Sequence, residues 1–280
     1  MTAEQAALPE GWIRPDWPAP PGVGALITAR AGGWSTGPFG ARGAGGMNLG
    51  LGRAETAQQA RDDPAVVHRN REHLSRWLPQ EPCWLEQVHG AVVVDAARAA
   101  AHREAPRADA AFATRAGVVC CVLVADCLPV LLADARGRGV AAAHAGWRGL
   151  AGGVIQNAVA GLRAALDDER ARILAYLGPA IGPEHFEVGP EVLAAMLERL
   201  PRARAAFRPA PSGRYRADLF ALAREALAQA RVLEVFGGGL CTVSDPARFY
   251  SFRRDRVTGR HAALVWRKPE EGGQGAAPQA

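Results

Sequence analysis

The stretch GVVCCVLVADCLPVLLADARGRGVAAAHAGWRG, residues 117–149, decides the fold. It holds three short apolar runs, 117–125, 129–134 and 139–144, each bounded by Gly, Pro or Asp. Runs of this length between turn residues read as buried strands rather than helices. Asp134 to Gly139 is the turn between the second and third. Outward from this core, WLEQV (84–88), AVVVD (91–95) and ILAYLG (173–178) have the same character and are expected to be strands. ARFYSFRRD (247–255) and RHAALVWR (260–267) are expected to form a hairpin across Val257, Thr258 and Gly259.

Helical signals lie between the strands. Residues 64–78 place Val67, Leu74 and Leu78 on one face, with Asp63 as cap and Pro64 in the first turn. Residues 150–166, 189–200 and 218–231 are also expected to be helices, the last capped by Asp218. Residues 31–52 are a glycine-rich loop, a lid or surface loop that lacks the GxGxxG of a dinucleotide site. Strands outnumber crossover helices, so the fold class is α+β, with mixed sheets flanked by helices. Residues 1–22, rich in Pro and Trp, are expected to lie extended. Residues 23–267 form the single domain, and 268–280 have the composition of a disordered tail.

Composition narrows the function. The chain has 280 residues, 49% hydrophobic and 22% charged, with a net charge of +5. That excess is mild and spread along the chain; it suits a small anionic substrate as well as a nucleic acid, and no nucleic-acid partner is expected. Five cysteines, Cys83, Cys120, Cys121, Cys127 and Cys241, show no CxxC pair and no even framework, so free thiols in a reducing compartment are expected. The N-terminal residues lack a signal-peptide pattern, and no apolar run reaches the roughly 18 residues that cross a bilayer. A cytoplasmic protein without a membrane partner is the expectation, as monomer or homodimer.

Three residues carry the chemistry: His89 in QVHG (87–90), Cys127 in VADCLP (124–129) and His144 in AAAHAGWRG (141–149). Each sits where an apolar run meets a turn. Two imidazoles and one thiolate can hold Zn²⁺ and leave the fourth tetrahedral position open, as in catalytic zinc sites. A Cys127/His144 nucleophilic pair acting without metal is the competing reading. A closed, non-catalytic metal module, with Cys83 or Cys241 as fourth ligand, is another.

The strings NLG (48–50), VHRNREHL (67–74), QVHG, ADA (108–110), VADCLPVLLAD (124–134), AAAHAGWRG, LGPAIGPEHFEVG (177–189), CT (241–242) and FYSFRRD…TGR (249–260) resemble the YfiH-type, laccase-domain family. The resemblance is collinear from about residue 23 to 267. It implies two packed mixed β-sheets with helices outside, similar to the cysteine-hydrolase fold of the cytotoxic necrotising factors. It also implies metal ligands at His89, Cys127 and His144. Members are described as purine nucleoside phosphorylases acting on adenosine, inosine and methylthioadenosine, with adenosine deaminase activity. Older descriptions call them polyphenol oxidases or laccases, and bacterial relatives are linked to peptidoglycan precursor editing.

Chemistry separates these activities. A multicopper oxidase needs many histidines paired as His-x-His; this chain has seven and no such pair. Cu²⁺ in the same site is the alternative cofactor, since His and Cys also suit copper. Zinc can activate water against C6 of adenine, although the H-x-E…P-C-x-x-C deaminase signature is absent. Phosphorolysis needs an anion beside C1′ of the ribose. Arg71 and Arg148 are the candidate phosphate forks, with Asn48 and Ser251 as further substrate contacts. Asp109 and Asp126 are expected to support the ligand histidines or act as a base.

Overall fold

The computed structural model describes residues 8–51, 61–99, 101 and 104–269. The disordered-tail expectation for 268–280 lies outside these residues except for Lys268 and Pro269. Of the segment 1–22, residues 8–22 contain one bridge, Ile13 to Ile27, and otherwise turns and bends.

The core is a six-stranded mixed sheet ordered β12 (Glu234–Gly237), β8 (Ile173–Leu177), β6 (Leu128–Asp134), β7 (Val140–Ala145), β4 (Ala110–Ala113) and β3 (Val93–Asp95). Against one face packs an antiparallel sheet of β1 (Val23–Ile27), β13 (His261–Arg267) and β5 (Val119–Val124). A third small sheet joins β9 (Glu187–Val188), β11 (Tyr215–Ala217) and β10 (Phe207–Pro209) at the periphery. The expected α+β domain of packed sheets flanked by helices is therefore present, with the smaller partner sheet wholly antiparallel.

The apolar runs are nearly continuous because both faces of each strand are covered. Along β6, Leu128, Val130 and Leu132 face the helices, while Leu131 and Ala133 face the other sheet. Along β13, Ala263 and Val265 enter the space between sheets; Ala262, Leu264 and Trp266 point outward against Leu74 of helix α1 (Pro64–Ser75). Between these elements, β2 (Ala31–Ser35) and the short helix α2 (Ala96–Ala99) complete the first half. Helices α3 (Trp147–Gly152), α4 (Val154–Ala165), α5 (Pro190–Arg199) and α6 (Leu219–Gln229) cover the opposite face of the large sheet.

Asp63 caps α1 by accepting from the Ala65 N–H, and Asp218 caps α6 from Phe220 and Ala221. The helix expected over 150–166 is instead two helices, because Gly153 takes φ +85° between them. The Arg199 guanidinium packs so close to Gly153 that a Cβ there would lie 2.7 Å from its Cζ. α1 ends at Ser75 rather than 78.

Two expected strands are not formed. Residues 84–88 cover the free edge of β5 without becoming a regular strand. The Gln87 side-chain amide takes the place of a peptide group there: Nε2 donates to the Leu123 carbonyl at 2.9 Å and Oε1 accepts from Leu123 N at 2.7 Å. Residues 247–255 do not pair with β13. Ser251 caps a short helix, α7 (Phe252–Asp255), by accepting from Arg254 N, and the Asp126 carboxylate takes the Arg253 N–H at 2.6 Å. With those N–H groups committed, β13 pairs with β1 and β5 instead.

Candidate metal centre

The register of the large sheet builds the site. β6 and β7 are antiparallel, with Leu128 opposite Ala145 and Pro129 opposite His144. Cys127, one step before β6, therefore lies beside the end of β7 and Gly146. A Cβ on Gly146 would sit 2.8 Å from Cys127 Sγ and 3.4 Å from His89 Cδ2, so the absence of a side chain makes room for both ligands.

His89 reaches the same place from the loop before β3. Its φ is +58°, a left-handed conformation that costs a non-glycine residue energy. Asp109 holds it there. The buried carboxylate accepts from the backbone N–H of Val88 (3.2 Å), His89 (2.9 Å) and Gly90 (2.7 Å). It also pairs with His144 Nδ1 at 2.9 Å, while the Asp109 carbonyl accepts from His144 N at 2.7 Å. One aspartate thus fixes two ligands. With Nδ1 donating to the carboxylate, the His144 Nε2 lone pair is left for a metal.

The ligand atoms of His89, Cys127 and His144 all lie within 4.8 Å of one another, and this is the one such group among the described residues. A tetrahedral zinc with N and S ligands needs those atoms roughly 3.3–3.8 Å apart, a contraction within side-chain rotation. The residues fit a metal ion. Cys83 and Cys241, the alternative fourth ligands, are not in the group; Cys83 is buried in the core between the sheets, and Cys241 accepts from Gly182 N at 3.2 Å. His89 is exposed, Cys127 half-buried and His144 buried, so the centre opens on the His89 side.

Charge agrees with ligation. Burial opposes ionisation of Cys127, but the His144 charge and hydrogen bonds from His144 and His89 outweigh it and bring the thiol down to about 6. Burial likewise opposes protonation of His144, and the Cys127 thiolate with the Asp109 hydrogen bond raises it to about 9. Asp109 itself is held low against burial by His144 and the backbone donors. Without metal the pair is thus a thiolate and an imidazolium.

The other candidates are scattered in role. Asp126 forms no hydrogen bond with a ligand histidine; its partners lie elsewhere. Its φ is +90°, and its carboxylate ties Thr242 Oγ1 (2.6 Å) and Arg253 N (2.6 Å) to the thiolate turn, a scaffold for CT and FYSFRRD. Asn48 is saturated: Nδ2 donates to Gly50 O and Asp62 Oδ2, and Oδ1 accepts from Gly50 N and Arg260 N. Ser251 is a buried helix cap. Arg71 donates Nε and NH2 to the Leu49 carbonyl and stacks over Trp84 at 3.9 Å. Arg148 is exposed and lies over its neighbour Trp147 at 4.4 Å. Arg260, quoted above only as part of TGR, is a half-buried arginine whose charge interacts with those of Cys127 and Asp126. A 380 Å³ cleft lined by Asp134, Arg136, Arg138, Asp168, Arg170 and Arg172 opens at the opposite end of β6 from Cys127.

The chain as a whole is similar to known proteins in sequence and in fold. The family described as multi-copper polyphenol oxidoreductase laccase matches residues 24–268. A Pseudomonas aeruginosa protein named purine nucleoside phosphorylase is 47% identical, covering 91% of this chain and 98% of its own length. Escherichia coli YfiH, also named purine nucleoside phosphorylase, is 43% identical over the same shares. The crystal structure of a Neisseria meningitidis protein superposes with a TM-score of 0.81 at 44% identity, covering 93% of this chain and all (100%) of that one. YlmD from Geobacillus stearothermophilus gives a TM-score of 0.81 at 30% identity, covering 94% and 98%. The chain belongs to this YfiH-type, laccase-domain family. No helix among the described residues is long and apolar enough to cross a membrane.

Proposed function

We propose that this protein is a zinc-dependent purine nucleoside phosphorylase. The observation that carries the reading is the three-ligand group with an exposed side, in a chain 43–47% identical to proteins bearing that name. The substrates are adenosine, inosine and methylthioadenosine. A phosphate oxygen attacks C1′ of the ribose, and the C1′–N9 bond breaks. Its electron pair leaves with the purine, which takes up a proton. The products are free base and ribose 1-phosphate, or the methylthio analogue.

His89, Cys127 and His144 would hold the ion, which supplies Lewis acidity toward a substrate oxygen. Asp109 fixes the two histidines so that neither reorganises during reaction. The Asp126 scaffold keeps the thiolate turn and the 241–255 segment in one piece. Hydrolytic deamination of adenosine at C6 is the competing reaction at the same centre. Copper in the site would give the oxidase activity of the family description, but three donors in one group are too few for a multicopper cluster.

The placement of the Cys127 and His144 ligand atoms within 4.8 Å of each other favours a second reading. A thiolate beside an imidazolium is also the resting state of a Cys-His hydrolase, acting for example on a cell-wall amide.

Purified, metal-assayed protein should convert adenosine and inosine to adenine and hypoxanthine only when phosphate is present, and Cys127→Ser should abolish this. Base release that is equal without phosphate would make the enzyme a nucleoside hydrolase. Amide hydrolysis that survives chelation would move support to the Cys-His reading.

A further inference from the structure

Phosphorolysis needs a cation for the second substrate, and of the two arginines expected to serve, Arg148 is exposed over its neighbour Trp147 while Arg71 is engaged by the backbone. Arg71 has spent Nε and NH2 on the Leu49 carbonyl. Arg253 and Arg254 are likewise bound to backbone carbonyls, of His185 and Glu187 and of Thr242, Val243 and Phe249. Arg260 differs in place and in the donors it leaves open.

The last paired residues of β13 and β5 are His261 and Val124. One step further along this antiparallel register, Arg260 falls opposite Ala125, the residue before Asp126 and Cys127. Its backbone is clamped on both sides: its N–H donates to Asn48 Oδ1 at 2.9 Å, and its carbonyl accepts from Leu49 N at 3.0 Å. NH1 donates to the carbonyls of Thr258 (3.1 Å) and Gly259 (3.0 Å). Gly50 leaves room for the stem, since a Cβ there would lie 2.9 Å from Arg260 Cγ. Nε and NH2, the side-on edge of the guanidinium, have no partner among the described residues, and no carboxylate among those residues forms an ion pair with this arginine. Its charge is felt by Cys127 and Asp126, which counter the effect of burial on it.

A partly buried arginine without an ion pair is costly unless an anion completes it. An Nε/NH2 edge matches two oxygens of a phosphate in a planar fork. We propose that Arg260 binds the phosphate co-substrate at the His89–Cys127–His144 centre through its Nε/NH2 edge. The saturated Asn48 then serves the site indirectly, by holding Arg260 in register. This inference rests on the phosphorylase reading for its substrate, but phosphate binding can be read without turnover.

The test compares metal-loaded wild type with Arg260→Met, Arg260→Lys and Arg71→Met. Inorganic phosphate binding is followed by calorimetry, metal content by elemental analysis, and KM for phosphate and nucleoside by base release. Arg260→Met should keep its metal and bind phosphate at least tenfold more weakly. Its KM for phosphate should rise while KM for inosine stays within twofold. Arg260→Lys keeps the charge but loses the fork, so it should fall between Met and wild type, and it carries the test if Arg260→Met does not fold. Arg71→Met should leave phosphate affinity unchanged. Phosphate affinity that is equal in wild type and Arg260→Met, or absent from wild type, overturns the proposal. Phosphate binding that depends on Arg260 in a protein that cleaves no nucleoside would instead overturn the phosphorylase reading and leave Arg260 as an anion site.

Discussion

At the scale of single residues, the centre depends on what is absent at position 146 as much as on the ligands. Gly146→Ala places a methyl group 2.8 Å from Cys127 Sγ and against His89, so ligation and not folding should suffer. Metal affinity is expected to fall at least tenfold in chelator competition, with an unchanged far-UV spectrum. Asp109→Asn keeps the shape but removes the charge that anchors three N–H groups and His144. Losses of roughly 10- to 100-fold in metal affinity are typical of such outer partners. Titration gives a separate prediction. With Cys127 at about 6 and His144 at about 9, the metal-free site at neutral pH is thiolate and imidazolium. Metal must displace the His144 proton between these values, and the Cys127 proton as well below about 6. Calorimetry in buffers of different ionisation enthalpy should show close to one proton released per ion at pH 7.5, with affinity falling more steeply below pH 6. No proton release at pH 7.5 would contradict the ion pair.

At the scale of elements, β13 carries an unusual residue at its start. His261 is fully buried, neither ring nitrogen has a partner, and the ring lies 5.7 Å from Phe249. Burial first, and then the charge of Arg260, lowers its pKa to about 3. The folded value lies below the unfolded one, so the folded state binds fewer protons. Stability is intact above the unfolded pKa near 6.5 and is lost as pH falls from there toward 3. The loss at pH 4 is on the order of 3 kcal/mol for this group. His261→Leu should flatten the drop in melting temperature between pH 7 and pH 4, and parallel curves for variant and wild type would dismiss this account. The same strand shows where sequence reading ends. The runs at 117–145 are legible as strands because burial on both faces forces apolar residues at every position. Caps at Asp63 and Asp218 are legible because the side chain acts on its own helix. The failed strands at 84–88 and 247–255 depend on groups distant in sequence, Leu123 for Gln87 and Asp126 for Arg253. The metal ligands are legible as residue types at strand ends and through family resemblance. Arg260 is not, because its place depends on the pairing of β13 with β5 and on a hydrogen bond to Asn48, more than two hundred positions away.

At the scale of the whole molecule, the question is whether the metal holds the fold or only the chemistry. The three ligands come from a loop, a turn and a strand end, and none of them supplies apolar core. The space between the sheets is filled by residues such as Ile27, Val122, Leu131 and Val265, and the helical face by Leu132, Ile155, Leu162 and Leu227. That packing does not need an ion. A small metal domain that folds only when loaded lacks such a core. Metal should therefore stabilise by mass action alone, about 4 kcal/mol when free metal is a thousand times its dissociation constant. For a domain of this size that corresponds to a shift on the order of 10 °C in melting temperature. Scanning calorimetry of chelated protein should show one cooperative transition about that much lower, with native circular dichroism below it, and added zinc should restore both the transition and activity. A chelated chain that has lost its transition would mean that the centre is structural, and the catalytic reading of the open position would lose its main support.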